Sequence, residues 1–427
     1  MSDKQTWFCA QLGRKDHYAV PRALHAAGVL GGFMTDFWAG RITKEMAGLL
    51  PGKLWHTVGA RYRPDIPSNL VESWNLRSCL WEACLRRRAR SGGVEGLYLG
   101  FCEVGRRFAQ AVRRNMMDRR SLPANSVFYG YDTASLEVME HLKERGVKCV
   151  LYQIDPCQVE VETVQAEQRA WPGWEDHLLD VPEEFFARHR NEWAVADHVI
   201  VSSEFARQGL MQQGVSGAKL KVIPLSFEVP RTGNGGDPQG MEPLRRKMAQ
   251  GFSRENPLRV LFLGQVMLRK GIQYLVQAAE SLQGCPVVFD IVGPLRISAK
   301  AVSSAPPNVV FHGRVTSDTI IGWYRSAHVF VLPTLSDSFA ITQIEAMANG
   351  LPVIATPNCG AVVSDGVDGF IVPPRDPQAL ARVIRCYLAD PNCLANQQQA
   401  ALQKSKQFTL ERFGASLLKL GQQLPSL

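Results

Sequence analysis

Two carboxylates, Asp337 and Glu345, stand eight positions apart in the run Leu332-Pro-Thr-Leu-Ser-Asp-Ser-Phe-Ala-Ile-Thr-Gln-Ile-Glu-Ala-Met-Ala-Asn-Gly350. The run reads as a buried strand ending at Pro333, a loop of small residues, a helix starting near Thr342, a glycine stop at Gly350 and a further strand at Val353. A loop that feeds a helix N-terminus offers unpaired N–H groups and the positive end of the helix dipole, a setting suited to phosphate. The same residues admit a plainer account. Thr342 and Glu345 match the S/T-x-x-E capping box, in which the glutamate reaches back to the start of its own helix. This segment alone does not separate the two. A candidate cation, Lys270, precedes Gly271 where another helix begins. A lysine opposes the dipole at that end, so an anionic ligand accounts for it better than surface placement does.

The elements that must position these groups follow an α/β pattern. In the first half, strands are expected at 6–10, 96–100, 126–130, 148–152, 198–202 and 220–224, with helices at about 18–27, 134–144 and 183–194. In the second half, strands at 258–264, 287–293, 308–312, 328–332, 352–356 and 369–373 alternate with helices at about 272–282, 317–325, 343–349 and 377–389. Apolar strands between helices predict parallel sheets covered on both faces, with ligands beyond the carboxyl ends of the strands. Those ends carry Gly264-Gln265, Gly293, Gly313-Arg314-Val315, Ser336-Asp337 and Cys359-Gly360. The polar, glycine-rich run 231–240 lacks the Lys-Ser/Thr of a phosphate loop and follows no suitable strand, so it reads as a linker. The expected layout is a first domain over 1–228, a linker region over 229–257, a second domain over 258–405 and a C-terminal helix over 406–427 packing back on the first domain.

The 427 residues exceed one ordinary core, and 45% apolar with 21% charged content is typical of globular chains. The polar N-terminus and the lack of a long apolar run predict neither a signal peptide nor a membrane span. A cytoplasmic protein is the expectation, with peripheral attachment to the inner face of a membrane left open. Ten cysteines without a C-x-x-C pair suggest reduced thiols rather than structural zinc. The net charge of +8 is concentrated between Arg86 and Arg120, which hold ten arginines against Glu95, Glu103 and Asp118. Phe108, Ala111 and Val112 recur at helical spacing there, as in a helix lying on an anionic membrane, although a solvated basic face explains the charge equally well. No recognised module supports nucleic acid as a partner.

With these residues in place, the chain resembles the retaining GT-B glycosyltransferases of family four, the glycosyl transferases group 1. The resemblance covers 258–384 and rests on the two acids separated by seven residues, Ala346-Met-Ala, Gly350-Leu-Pro-Val-Ile354 and Cys359-Gly360. It implies two Rossmann-like domains facing across a cleft and transfer of a sugar from a nucleotide diphosphate sugar to an acceptor hydroxyl. By resemblance, Glu345 binds the ribose diol, Asp337 touches the donor sugar, and the amides of Phe339, Ala340, Ile341 and Thr342 face the diphosphate. Lys270 offsets the charge of the leaving group. The family's second cation falls on Gln265, so Arg269 or the loop of the first domain would have to help. Val315 lies where relatives contact the base, and Gly13 where they bring a glycine loop to the phosphates. Asp155 and His17 are candidates for the acceptor side, with solvation the alternative for His17.

Neither a cofactor nor a metal is expected, because Lys270 and backbone dipoles can take the metal's place. The acceptor would be a saccharide or a lipid-linked molecule, in the synthesis of cell-surface polysaccharide, lipopolysaccharide or glycolipid. Alternatives are a sugar-nucleotide epimerase of the same fold and a non-catalytic nucleotide-sugar-binding subunit. A nicotinamide dehydrogenase is disfavoured, since G-x-G-x-x-G follows none of the candidate strands.

Overall fold

Strands such as Ser126–Tyr131 and Val329–Leu332 are buried at every position, so helices must cover both faces of the sheets that contain them. The computed structural model describes residues 5–40, 43–45, 58–59, 61–119, 122–123, 125–228, 251–316 and 318–423. The strands are β1 Thr6–Gln11, β2 Leu30–Thr35, β3 Val71–Ser73, β4 Ser126–Tyr131, β5 Lys148–Tyr152, β6 His198–Val201 and β7 Leu220–Val222 in the first half. The second half contributes β8 Leu258–Leu263, β9 Val287–Val292, β10 Val309–Gly313, β11 Val329–Leu332, β12 Val353–Ala355 and β13 Gly369–Ile371.

They form a seven-stranded sheet ordered β3-β2-β1-β4-β5-β6-β7 and a six-stranded sheet ordered β10-β9-β8-β11-β12-β13. The pairings within both sheets are parallel, for example β1 with β4 and β8 with β9. Both sheets thus share the doubly wound order of a Rossmann-like fold, with β7 added at one edge. The order reverses between β1 and β4 and again between β8 and β11. At such a switch point the connections leave in opposite directions, and a crevice opens beyond the carboxyl ends. Near its end the chain returns to the first half. Helix Leu410–Gln423 lies against helix Ala19–Ala26, with Gly414 facing Ala23, and Gln5 Nε2 donates to Gly421 O at 2.7 Å.

One first-half expectation is corrected, and two strands are added. Residues 96–100 are not a strand; they belong to the helix Asn75–Asp118, which folds back on itself at Gly93 (φ 57°, ψ −134°). A Cβ at Gly96 would strike the carbonyl of Arg88, one at Gly100 the side chain of Leu85, and one at Gly105 the carbonyl of Thr133. The glycines that looked like strand boundaries are points of close helix packing, with Gly96 and Gly100 four residues apart on one helical face. Strands β2 and β3 were not anticipated. Leu30-Gly-Gly-Phe-Met-Thr35 carries two glycines, which weaken strand propensity, and β3 has only three residues. The glycine-rich run 231–240 lies outside the described residues, as does Ser317, where one helix was expected to start; that helix is Ile320–Ser326.

Candidate functional site

The second sheet's switch point gathers the loops after β8 and β11. After β8, the turn Leu268–Lys270 ends at Gly271, which takes a left-handed φ of 73°. A Cβ at Gly271 would collide with the carbonyl of Pro333, so only glycine lets this turn press against the end of β11. Several hydrogen bonds tie the two loops together. Leu335 N donates to Arg269 O at 2.9 Å, Thr334 Oγ1 to the same carbonyl at 3.2 Å, and Arg269 Nη1 to Ser336 O at 3.0 Å. The result brings Lys270 Nζ onto Asp337 Oδ2 as an ion pair, with the two side chains 14% and 16% exposed.

Glu345 lies on helix Ile341–Ala348, whose N-cap residue Ala340 makes no side-chain capping bond. The helix starts one residue before Thr342, which removes Thr342 from the cap position, and the capping box is not formed. The Glu345 carboxylate instead accepts from the Tyr324 hydroxyl at 2.8 Å. Burial raises the Glu345 carboxyl above its ordinary range while the Tyr324 hydrogen bond lowers it; burial, reinforced by that carboxylate, pushes the Tyr324 phenol well up. Tyr324 had no sequence signal, because its helix is short and its role depends on a contact 21 residues away.

The loop between the acids is less open than expected. The Ala340 amide is spent on Cys359 O at 3.1 Å, which removes it from the set expected to face a diphosphate. Ile341 and Thr342 are the first helical residues and have no intrahelical acceptor for their N–H groups. The Phe339 ring packs on Gly360, whose φ of 94° and missing side chain make room for it. Ser338 is buried, and its hydroxyl finds no protein partner. It is a donor at the site that was missed because serine in a loop carries no distinguishing pattern.

Gln265 lies exposed just beyond β8, and Val315 beyond β10 is partly buried against the core. Arg269 does not join Lys270; its guanidinium is committed to Glu160 Oε2 at 3.1 Å and to Ser336 O. Neither Gln265 nor Arg269 therefore adds a cation beside Lys270.

In the first domain, the Gly13 amide donates to Asp36 Oδ1 at 2.9 Å and is thereby withdrawn from ligand contact. His17 Nδ1 meets Arg63 Nη2 at 2.9 Å; desolvation, then the charges of Arg14 and Arg63, lower its pKa to about 4, so the ring is neutral at pH 7. Asp155 accepts from Cys157 N at 2.8 Å, and its carboxyl is raised by burial and by the charge of Asp132. The first switch point repeats the motif of the second. Lys15, after β1, stands 3.6 Å from Asp132, after β4, as Lys270 after β8 meets Asp337 after β11.

The apolar stripe expected to face a membrane points inward. Phe108, Ala111 and Val112 are buried, and the Phe108 ring meets Trp74 and Trp81 edge-on. Several arginines of this segment bind acids, Arg88 and Arg107 at Glu103 and Arg106 at Glu184 and Glu137. The most exposed apolar side chains of the hairpin lie on its other arm, at Leu76 (86%) and Leu80 (68%), with Met117 and Phe101 less exposed on the arm of Phe108. Among the described residues, no helix is long and apolar enough to cross a membrane.

Residues 257–390 match the family described as glycosyl transferases group 1. A D-inositol 3-phosphate glycosyltransferase of Xylanimonas cellulosilytica is 29% identical over 239 residues, covering 53% of this chain and 56% of the relative. A second, from Streptomyces griseus, is 28% identical over 48% of this chain and 46% of its own length. The chain thus spans about half the length of the curated relatives it matches. Among solved structures, Anabaena HepE in complex with UDP superposes with a TM-score of 0.59 at 15% identity, covering 99% of this chain and 100% of that one. Sucrose-phosphate synthase from Thermosynechococcus elongatus gives 0.63 at 18% identity, covering 98% and 99%. At these identities the superpositions establish a common fold, that of two Rossmann-like domains.

Proposed function

Since residues 257–390 match the glycosyl transferases group 1 family, we propose that this protein is a retaining glycosyltransferase that moves a sugar from a UDP- or GDP-linked donor to an acceptor hydroxyl. The observation that carries the proposal is the arrangement at the second switch point: an ion-paired Lys270–Asp337 on one side and a half-buried carboxylate, Glu345, on the other, with free helix-start amides between. In this reading the ribose diol is received by Glu345. The diphosphate draws Lys270 away from Asp337 and lies over the amides of Ile341 and Thr342, with Ser338 as a further donor. Asp337, released from its lysine, accepts from hydroxyls of the donor sugar.

As the glycosidic bond breaks, Lys270 offsets the charge growing on the diphosphate, and the diphosphate oxygen takes the proton of the incoming hydroxyl on the same face. No metal is assigned a step, since this cation and these dipoles supply the required stabilisation. The UDP complex of the similar HepE supports a uridine donor as the first to test. The first-domain strand ends, with Asp155, His17, Lys15 and Asp132, form the acceptor side. Leu76 and Leu80 lie on the hairpin arm that also carries Arg86, Arg87 and Arg90, which supports a lipid-linked acceptor reached from an anionic surface.

Titration calorimetry with UDP, GDP and their sugars tests the donor site, and Glu345→Ala should abolish most of the binding. Unchanged nucleotide affinity in that variant overturns the ribose assignment. Incubation with the donor sugar alone separates transfer from epimerisation, because an epimerase alters the sugar without an acceptor. Co-sedimentation with anionic but not neutral vesicles tests the surface.

A further inference from the structure

Helix Gln158–Ala170 follows β5 in the first domain, yet two of its acidic side chains, Glu160 and Glu167, are bound by the second. Glu160 Oε2 accepts from Arg269 Nη1 at 3.1 Å and from Ser336 Oγ at 2.8 Å. Seven residues on, two helical turns along the same face, Glu167 accepts from Gln273 Nε2 and Tyr274 OH, each at 2.9 Å, and from Arg375 Nε at 2.5 Å. The two contacts differ in where they lead. Glu167 grips a distant loop and the helix that starts at Ile272, whose Gln273 Nε2 also donates at 3.2 Å to Leu268 O, at the far end of the turn from Lys270. Glu160 grips the two residues adjoining Lys270 and Asp337 in sequence, Arg269 and Ser336, which are already tied to each other.

We propose that Glu160 is a positioning residue, through which the first domain sets the alignment of Lys270 and Asp337 when the cleft closes. This rests on the reading of Lys270 and Asp337 as the groups that face the diphosphate and the sugar. With Glu160 in place, Arg269 is held from both ends and the loop after β11 keeps its place against the turn after β8. Without it, Arg269 loses its carboxylate and Ser336 loses its acceptor, and the lysine is free to shift relative to the donor. A displacement of about 1 Å at reacting groups costs on the order of a hundredfold in rate.

The surroundings of Glu160 add a signature. It faces Arg269 and Asp337 from the second domain, Asp155 from the loop that precedes its helix, and Tyr98 from the helical hairpin. Burial raises its carboxyl to about 7, against the lowering effect of Arg269. A pKa higher in the closed arrangement than in a solvated, open one means that closing takes up a proton. Closure is therefore fully favoured in acid and weakens as the pH rises through about 7.

The test compares Glu160→Ala, Glu160→Gln and Glu167→Ala by UDP calorimetry, by kcat and KM for transfer, and by pH profile, with melting curves as a check on folding. Glu160→Ala should lower kcat by about a hundredfold and leave UDP affinity within about threefold, because Glu345 is untouched. Glu160→Gln, which mimics the neutral carboxyl, should recover most of kcat and lose the fall in kcat/KM near pH 7. Glu167→Ala should leave kcat near wild type. Equal losses at Glu160 and Glu167, or a wild-type kcat in Glu160→Ala, would overturn the inference by reducing Glu160 to one interdomain contact among several. If Glu160→Ala does not fold, the profile of Glu160→Gln decides, and a retained limb near pH 7 counts against the proposal. A wild-type protein that neither binds UDP or GDP nor transfers sugar refutes the glycosyltransferase reading instead, and an active wild type whose Glu160 variants keep wild-type kcat and pH profile refutes only this one.

Discussion

The Tyr324 hydroxyl donates to Glu345 Oε2 at 2.8 Å, joining two short helices beside the carboxyl ends of the second sheet. The carboxylate is thereby held in one orientation with its other oxygen available to a ligand. Glu345→Ala should weaken nucleotide binding by about ten- to a hundredfold, as expected for losing hydrogen bonds to a charged acceptor worth about 1.5–3 kcal/mol. Calorimetric titration reads this directly.

Tyr324→Phe should act through pH. Burial already raises the Glu345 carboxyl, and the tyrosine is what lowers it. In the proposed reading ribose binding draws on the ionised form, so affinity falls as the pH drops toward the raised pKa. Without Tyr324 that fall should begin at higher pH, with affinity near wild type on the alkaline side. Nucleotide titrations at several pH values, on wild type and variant, measure the displacement.

Lys270 and Asp337 neutralise each other before a donor arrives. Lys270→Met should lower kcat by about 10²–10³, the usual cost of deleting one group that stabilises a developing negative charge. Asp337→Asn should separate binding from turnover. Freed of its partner, Lys270 holds UDP as tightly as before or more so, while transfer slows. A parallel loss of UDP affinity in Asp337→Asn would contradict the displacement of Asp337 by the diphosphate.

Gln265→Arg restores a second cation at the loop after β8, where the exposed side chain has room for it. Steady-state kinetics should show kcat raised by up to about tenfold, the effect of roughly 1.4 kcal/mol in the transition state. No gain would mean that another group, with Lys15 the nearest in kind, already fills that role.

Gly271→Ala should be among the most damaging small substitutions. A left-handed φ costs an alanine about 1–2 kcal/mol, and its methyl group would also meet the carbonyl of Pro333. The two loops that carry Lys270 and Asp337 would be forced apart. Differential scanning calorimetry should show Tm lowered by several degrees, together with reduced UDP affinity.

The second half of the fold is readable from its residues, and the reasons are local. Each of β8 to β13 is apolar at most positions, and helix Pro377–Ala389 begins at a proline with Asp376 accepting from Ala379 N at 2.8 Å as its cap. The first half hid a helical hairpin behind Gly96 and Gly100, because a glycine kept for close packing looks the same in sequence as one that ends a strand.

The same division applies to the site. Spacing along the chain made Asp337, Glu345 and Lys270 candidates, since they flank loops that one sheet order must bring to one end, and the family resemblance chose the ligand reading over the capping one. Which partner each carboxylate takes was decided only by contacts between distant segments. Glu345 turns to Tyr324 instead of to its own helix start, and Asp337 takes the lysine from the neighbouring loop. Arg269 is taken by Glu160, 109 residues earlier, and so is removed from the role its sequence position suggested. Hydrophobic periodicity is a property of consecutive residues and survives in the sequence. Hydrogen-bond and ion-pair choice depends on which groups the tertiary structure brings within about 3 Å of one another, and two domains had to meet before Glu160 had a partner.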